Sequence, residues 1–180
     1  MKRKGFTLVE LLIVIVVIGI LSAMMMLSST EAVTSARASN IVSNLRNLKT
    51  AALSLYTDNL DKAEAGTLLA ADQSISTGSE TETDNAMVKV IKYMNNASLK
   101  EYVGYGIVSK SDGWFVYCKD ITDERVREKL AGRANSVGLS GAADANNLAP
   151  TTGTSGVFTK DNTVAGMWVV KPAVAVATGS

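Results

Sequence analysis

Residues 1–30 read MKRKGFTLVELLIVIVVIGILSAMMMLSST, and the rest of the chain has to be arranged around them. A short basic leader with Lys2, Arg3 and Lys4 ends at Gly5. An apolar run follows over residues 6–27, broken by polar side chains only at Thr7, Glu10 and Ser22, with Gly19 as its one flexible point. A stretch of about twenty apolar residues is long enough to cross a bilayer as a helix. Glu10 is the anomaly. An ionisable side chain in such a segment is costly in hydrocarbon, so its presence implies a function and a partner.

Two general readings of this stretch leave something unexplained. A secretory signal has an apolar region of roughly 7–15 residues, shorter than this run, and Ser22-Ala23 and Ser28-Ser29 are indifferent cleavage sites. A plain single-pass anchor, its basic end held in the cytoplasm, gives no reason for Glu10. The stretch KGFTLVELLIVIVVIGIL, with Lys4-Gly5, then Phe6, Thr7, Leu8 and Glu10 ahead of an aliphatic helix, resembles the N-terminus of the type IV pilin family. That family includes the pseudopilins of type II secretion. The resemblance implies cleavage between Gly5 and Phe6 by a prepilin peptidase, and N-methylation of Phe6. It also implies a single-pass precursor in the cytoplasmic membrane, in contact with lipid, which then polymerises through its N-terminal helix into a cell-surface filament. Other pilin subunits and an inner-membrane assembly platform are the further partners implied. One departure stands out: many pilins carry a proline in the second half of this helix, and residues 22–28 have Met24, Met25 and Met26 but no proline.

Glu10 also has a physical role apart from any resemblance. It lies one helical turn from Phe6, near the positive end of its own helix dipole. In a bundle of such helices its carboxylate can face the Phe6 amine of a neighbour. Leaving either charge unpaired in a dry core is costly, so the pair would set the axial register. Glu10 is then a registry device and no catalyst. Thr7 is a hydrogen-bond partner for it within the same turn.

From Glu31 onward the pattern becomes amphipathic. Ala38, Ile41, Leu45, Leu48, Ala52 and Leu55 recur at spacings of three and four, with Arg37, Asn40, Asn44, Arg46, Asn47 and Lys49 mostly on the other side. No Pro or Gly interrupts residues 20–65, so both halves can form one helix. A long coiled coil is disfavoured, because the stripe is short and lacks sustained flanking charges. The expected organisation is a leader over 1–5, a hydrophobic transmembrane and assembly helix over 6–28, its amphipathic continuation over 29–60, and a head over 61–180.

Within the head, residues 60–83 read as a polar loop with a helical patch at 68–71. Asp84 then caps a short helix whose inner face is Met87, Val90, Ile91 and Met94, ending at Asn95-Asn96. Residues 105–109 and 114–118 are two β-rich runs joined by a turn at Lys110-Ser111-Asp112-Gly113, with Cys118 as a small buried apolar residue. Thr122 is expected to cap a short helix with Asp123 and Glu124 in its first turn and Gly132 after its end, with residues 133–156 irregular. A second hairpin, 157–159 with 167–171, is expected around Asp161-Asn162. The whole is an α+β, pilin-like chain: a long N-terminal helix laid on a small antiparallel sheet.

Composition narrows the function classes. Three of the 18 basic residues are in the leader, so a chain cut after Gly5 carries 15 against 17 acidic side chains, a net of −2. That balance does not point to nucleic acid. With no His and the single Cys118, His-dependent triads, zinc sites and internal disulfides are ruled out. Asp58, Asp61, Asp144 and Asp161 are scattered oxygen donors without EF-hand spacing, although some pseudopilins bind calcium in the head. Trp114, Trp168, Tyr105 and Tyr117 read as core aromatics. No catalytic residue, metal or cofactor is expected. The first functional reading is a pilus subunit. The second is a pseudopilin of a type II secretion or DNA-uptake system, and a membrane-anchored monomeric binding domain stands third.

Overall fold

The apolar run and the amphipathic stretch form one helix, α1, Leu8–Asp58. With 51 residues at about 1.5 Å each, it is about 75 Å long. The computed structural model describes residues 6–58, 73–74, 86–94, 98–110, 113–142 and 156–170. The helix runs on through Gly19 and through the Met-rich stretch, as expected where no proline removes a backbone donor. Its two halves meet different surroundings. Residues 6–26 are exposed on every side, whereas burial from Thr34 onward follows Ala38, Val42, Leu45, Leu48, Ala51, Ala52 and Leu55. The inner stripe is thus centred slightly differently from the expected one: Val42 is buried, and Ile41 sits half-buried at its edge. Asn44, expected on the outer side, is half-buried and donates to the Tyr105 hydroxyl at 3.3 Å.

Among the described residues, the head is a five-stranded antiparallel sheet packed with two helices. In chain order it contains β1 Gln73–Ser74, α2 Ala86–Ile91, a 3-10 turn Leu99–Tyr102, β2 Tyr105–Lys110, β3 Gly113–Cys118, α3 Glu124–Val137, β4 Ser140–Ala142 and β5 Val164–Val170. The spatial order is β1-β2-β3-β5-β4. The β2/β3 hairpin is the one expected, in register from Tyr105↔Cys118 to Lys110↔Gly113. Side chains alternate across the sheet with period two. Tyr105, Ile107, Trp114, Val116, Cys118, Ala165, Met167 and Val169 join the core shared with α1, α2 and α3. Val108, Phe115, Tyr117 and Val164 form a smaller buried cluster on the other face, with Trp168 packed against it. A register shift between Trp114 and Phe115 sets Trp114 opposite Val170 and Phe115 opposite Trp168, so Val169 is the extra residue of β5 at a bulge. Gly106 and Gly166 sit where the Tyr117 and Phe115 rings lie over neighbouring strands, and a Cβ at either would meet the ring.

Four expectations change. The short strand β1 pairs with Ile107 and Gly106 inside the stretch expected to be a loop; the patch at 68–71, the Asp84 cap and Asn95-Asn96 lie outside the described residues. The third helix begins one residue later and ends later than expected. Asp123, not Thr122, is its N-cap, accepting from the Arg125 N–H at 3.1 Å. It continues through Gly132 because Val126, Leu130 and Ala134 supply an unbroken buried face, and it stops at Gly138, whose φ of 72° is left-handed. The region 133–156 therefore contains the end of α3 and strand β4, and is not irregular throughout. Finally, residues 157–159 do not form a hairpin with β5. Val157 makes an isolated bridge to Ser140, the Phe158 N–H bonds to the Leu139 carbonyl at 3.1 Å, and β5 pairs with β3 and β4. The Asp161-Asn162 turn is present, closed by Asn162 Oδ1 accepting from the Thr159 N–H at 2.8 Å.

Arg127 ties these connections together. Its guanidinium donates to the carbonyls of Ile121 and Thr122, each at 3.0 Å, and of Lys160 at 2.8 Å. Charged donors on backbone carbonyls are among the stronger hydrogen bonds.

Candidate functional site

The start of α1 is where the sequence concentrates its chemistry. Phe6 is 84% exposed and precedes the helix; Gly5 lies outside the described residues. Thr7 occupies the N-cap position: its carbonyl accepts from the Leu11 N–H at 3.3 Å, the first helical bond. Three further bonds close on Thr7 and Glu10. The Glu10 N–H donates to Thr7 Oγ1 at 3.3 Å, while the Thr7 N–H and hydroxyl donate to Glu10 Oε2 at 2.9 and 2.8 Å. This is a capping box, in which two otherwise unsatisfied amides at a helix start are answered reciprocally by side chains. The spacing T-x-x-E is the sequence signal for it. Sequence reasoning placed Thr7 and Glu10 in one turn, and the structure brings them into direct contact. One carboxylate and one hydroxyl in this arrangement hold and orient charge at the helix start.

Beyond Glu10 the helix offers only apolar contact. Residues 11–26 contain no charge, and no part of the most apolar stretch is buried within the protein. By length and composition it can cross a membrane.

The remaining candidates do not assemble. Asp58 and Asp161 are exposed and distant in the chain, Asp61 and Asp144 lie outside the described residues, and no metal-binding group of three acids, His or Cys occurs among the described residues. Tyr105, Trp114 and Tyr117 are buried in the core, and Trp168 stacks edge-on to Phe115 with ring centres 5.2 Å apart. Cys118 is buried beside Tyr105, and burial pushes its thiol up to about 12. A thiol so protonated is no nucleophile. Burial likewise raises Tyr105 well above the ordinary range, and it raises Tyr102, against a side-chain hydrogen bond from Asn47. An open cleft of about 340 Å³ lies between α1 and the β3–α3 connection, bordered by Arg37, Asp120 and Asp123. Its charges are mixed, with Arg37 and Asp123 3.8 Å apart. The left-handed φ of 60° at Asp120, which bends the chain out of β3, had no signal in the sequence.

Residues 1–26 match the family model described as the prokaryotic N-terminal methylation motif. The chain carries the type IV pilin and pseudopilin signature. No curated protein and no solved structure matches it. The motif in a pilin-like chain implies processing by a prepilin peptidase and assembly into filaments, and with the apolar helix it fits a membrane-anchored precursor. It points to a structural subunit rather than an enzyme.

Proposed function

We propose that this pilin-like chain is a structural subunit of a type IV pilus. It is cut between Gly5 and Phe6, methylated on the new Phe6 amine, and polymerised through α1 with other copies and pilin subunits on an inner-membrane assembly platform. The observation that carries the reading is the division of α1. One half is spent on the head core, and residues 6–26 are apolar and uncovered on all sides, with a carboxylate at their start. Such a surface needs lipid first and neighbouring helices later. In the filament Glu10 pairs with the Phe6 amine of a neighbour and sets the register, since an unpaired charge in that core is costly.

A pseudopilin of a type II secretion or DNA-uptake system follows the same assembly physics. The lone Cys118 favours it mildly, because it leaves the head without the disulfide that closes many pilins. Imaging cells with and without the gene separates the two: long surface filaments lost on deletion mean a pilus.

Processing is tested by the intact mass of the protein purified from its own cells. The expected mass begins at Phe6 and carries one extra methyl group. Assembly is tested by Glu10→Val, which is expected to insert in the membrane normally and to be excluded from filaments. Normal filament yield from that variant refutes the register pairing.

A further inference from the structure

We infer that neighbouring copies of this chain are joined by a second charge pair, Glu31 of one subunit with Arg37 of the next, where α1 passes from its apolar half to the head. The contact rests on the proposed pairing of Glu10 with a neighbour's Phe6 amine and lies about 30 Å farther along the helix. Charge on this part of α1 is sparse. After Glu10 the next ionisable side chain is Glu31, and the next after that is Arg37. Both are exposed, and the Glu31 carboxylate has no ion pair among the described residues. Arg37 approaches only Asp123 there, at 3.8 Å, with its side chain 65% exposed. That carboxylate already accepts from the Arg125 N–H and lies equally close to the Arg125 side chain.

The two charges cannot meet within one chain. Six positions apart, they are separated by about 9 Å along the helix and about 120° around it. A parallel neighbour changes this. When Phe6 of one copy is level with Glu10 of another, the first copy is raised by four residues, about 6 Å, along the shared axis. Glu31 of the raised copy is then level with Ser35 of the other, about 3 Å short of Arg37 and on the side toward which a helical side chain leans. The reverse combination in the same two copies is about 15 Å apart, so the contact is one-way and passes from subunit to subunit. Met26, Val33 and Arg37, at spacings of seven and four, share one side of α1, and all three are exposed. This side continues the uncovered apolar surface past the start of the head, and a helix lying along it arrives at Arg37. An exposed ion pair contributes little by itself, but complementary charge between packed partners fixes register and rejects wrong ones.

The test uses the full-length chain in filament-forming cells, with membrane content as the control and Glu10→Val alongside. Glu31→Arg and Arg37→Glu are each expected to insert normally and to lower filament yield about three- to tenfold, and the double exchange to return to within about twofold of wild type. Full yield from Glu31→Arg overturns the pair. Because Arg37→Glu also introduces an acid beside Asp123, proximity is measured separately. Glu31→Cys and Arg37→Cys are combined in a Cys118→Ala chain, and filaments are treated with a short bis-maleimide. A ladder of dimers, trimers and longer species is expected, with monomers from each single-cysteine chain. Absence of the ladder, or dimers from a single-cysteine chain in its place, overturns the contact while Glu10→Val still assembles poorly. Normal assembly of Glu10→Val overturns instead the four-residue stagger on which the contact rests.

Discussion

Single residues in the head act through burial. Cys118 and Tyr105 face each other across β2 and β3, and both are buried under α1. Burial holds the Cys118 thiol at about 12, against 9.0 for the free group. The folded chain therefore keeps a proton that the unfolded chain releases between pH 9 and 12. In that window the native state binds more protons, so stability falls as pH rises; below pH 9 this contribution is fully present. Denaturant midpoints should fall between pH 9 and 11, and fall less in Cys118→Ala, once the constant cost of the smaller side chain is subtracted. Equal pH slopes in the two proteins would show that the thiol stays outside the linkage. Tyr105 shifts in the same direction and steepens the loss above pH 10.

At the scale of elements, α3 shows propensity overruled by packing. Gly132 is a helix breaker in isolation, costing about 0.8–1 kcal/mol against alanine. For that reason the local sequence predicts a helix end there. Leu130 and Ala134 on either side are buried against the α1 face, and Arg133 donates to Ser39 Oγ of α1 at 3.0 Å, so the helix continues. The terminus falls instead at Gly138, where the Leu139 N–H turns back to the Ala134 carbonyl at 2.9 Å. A Cβ at Gly132 meets nothing within 4 Å. Gly132→Ala should accordingly raise head stability by about 0.5–1 kcal/mol, measured by urea denaturation. A destabilised variant would mean that the glycine is kept for some contact of the assembled filament.

For the whole molecule, the decisive feature is that the two halves of one helix belong to different environments. Residues 6–26 are exposed throughout and take no part in the core formed by the described residues, so the core should not depend on them. A chain beginning at residue 29 is expected to be soluble without detergent, monomeric by sedimentation, and cooperative in thermal unfolding. Non-cooperative melting would show that the apolar half also supports the head.

What could be read from residues alone follows the strength of local patterns. The apolar run, the T-x-x-E spacing at Thr7 and Glu10, the unbroken helix to Asp58 and the β2/β3 hairpin all rest on signals within a few turns or one hairpin, where period and turn chemistry suffice. The inner stripe of α1 was legible except for its centring on Val42, since rotation of a helix by a fraction of a turn depends on what it packs against. Tertiary structure alone decided the rest. The two-residue strand β1 exists only because β2 offers it an edge, β4 and the Ser140↔Val157 bridge form only beside β5, and β3 and β5 become neighbours across an intervening helix. Such pairings join segments far apart in the chain, and their free energy appears only once a shared core has formed.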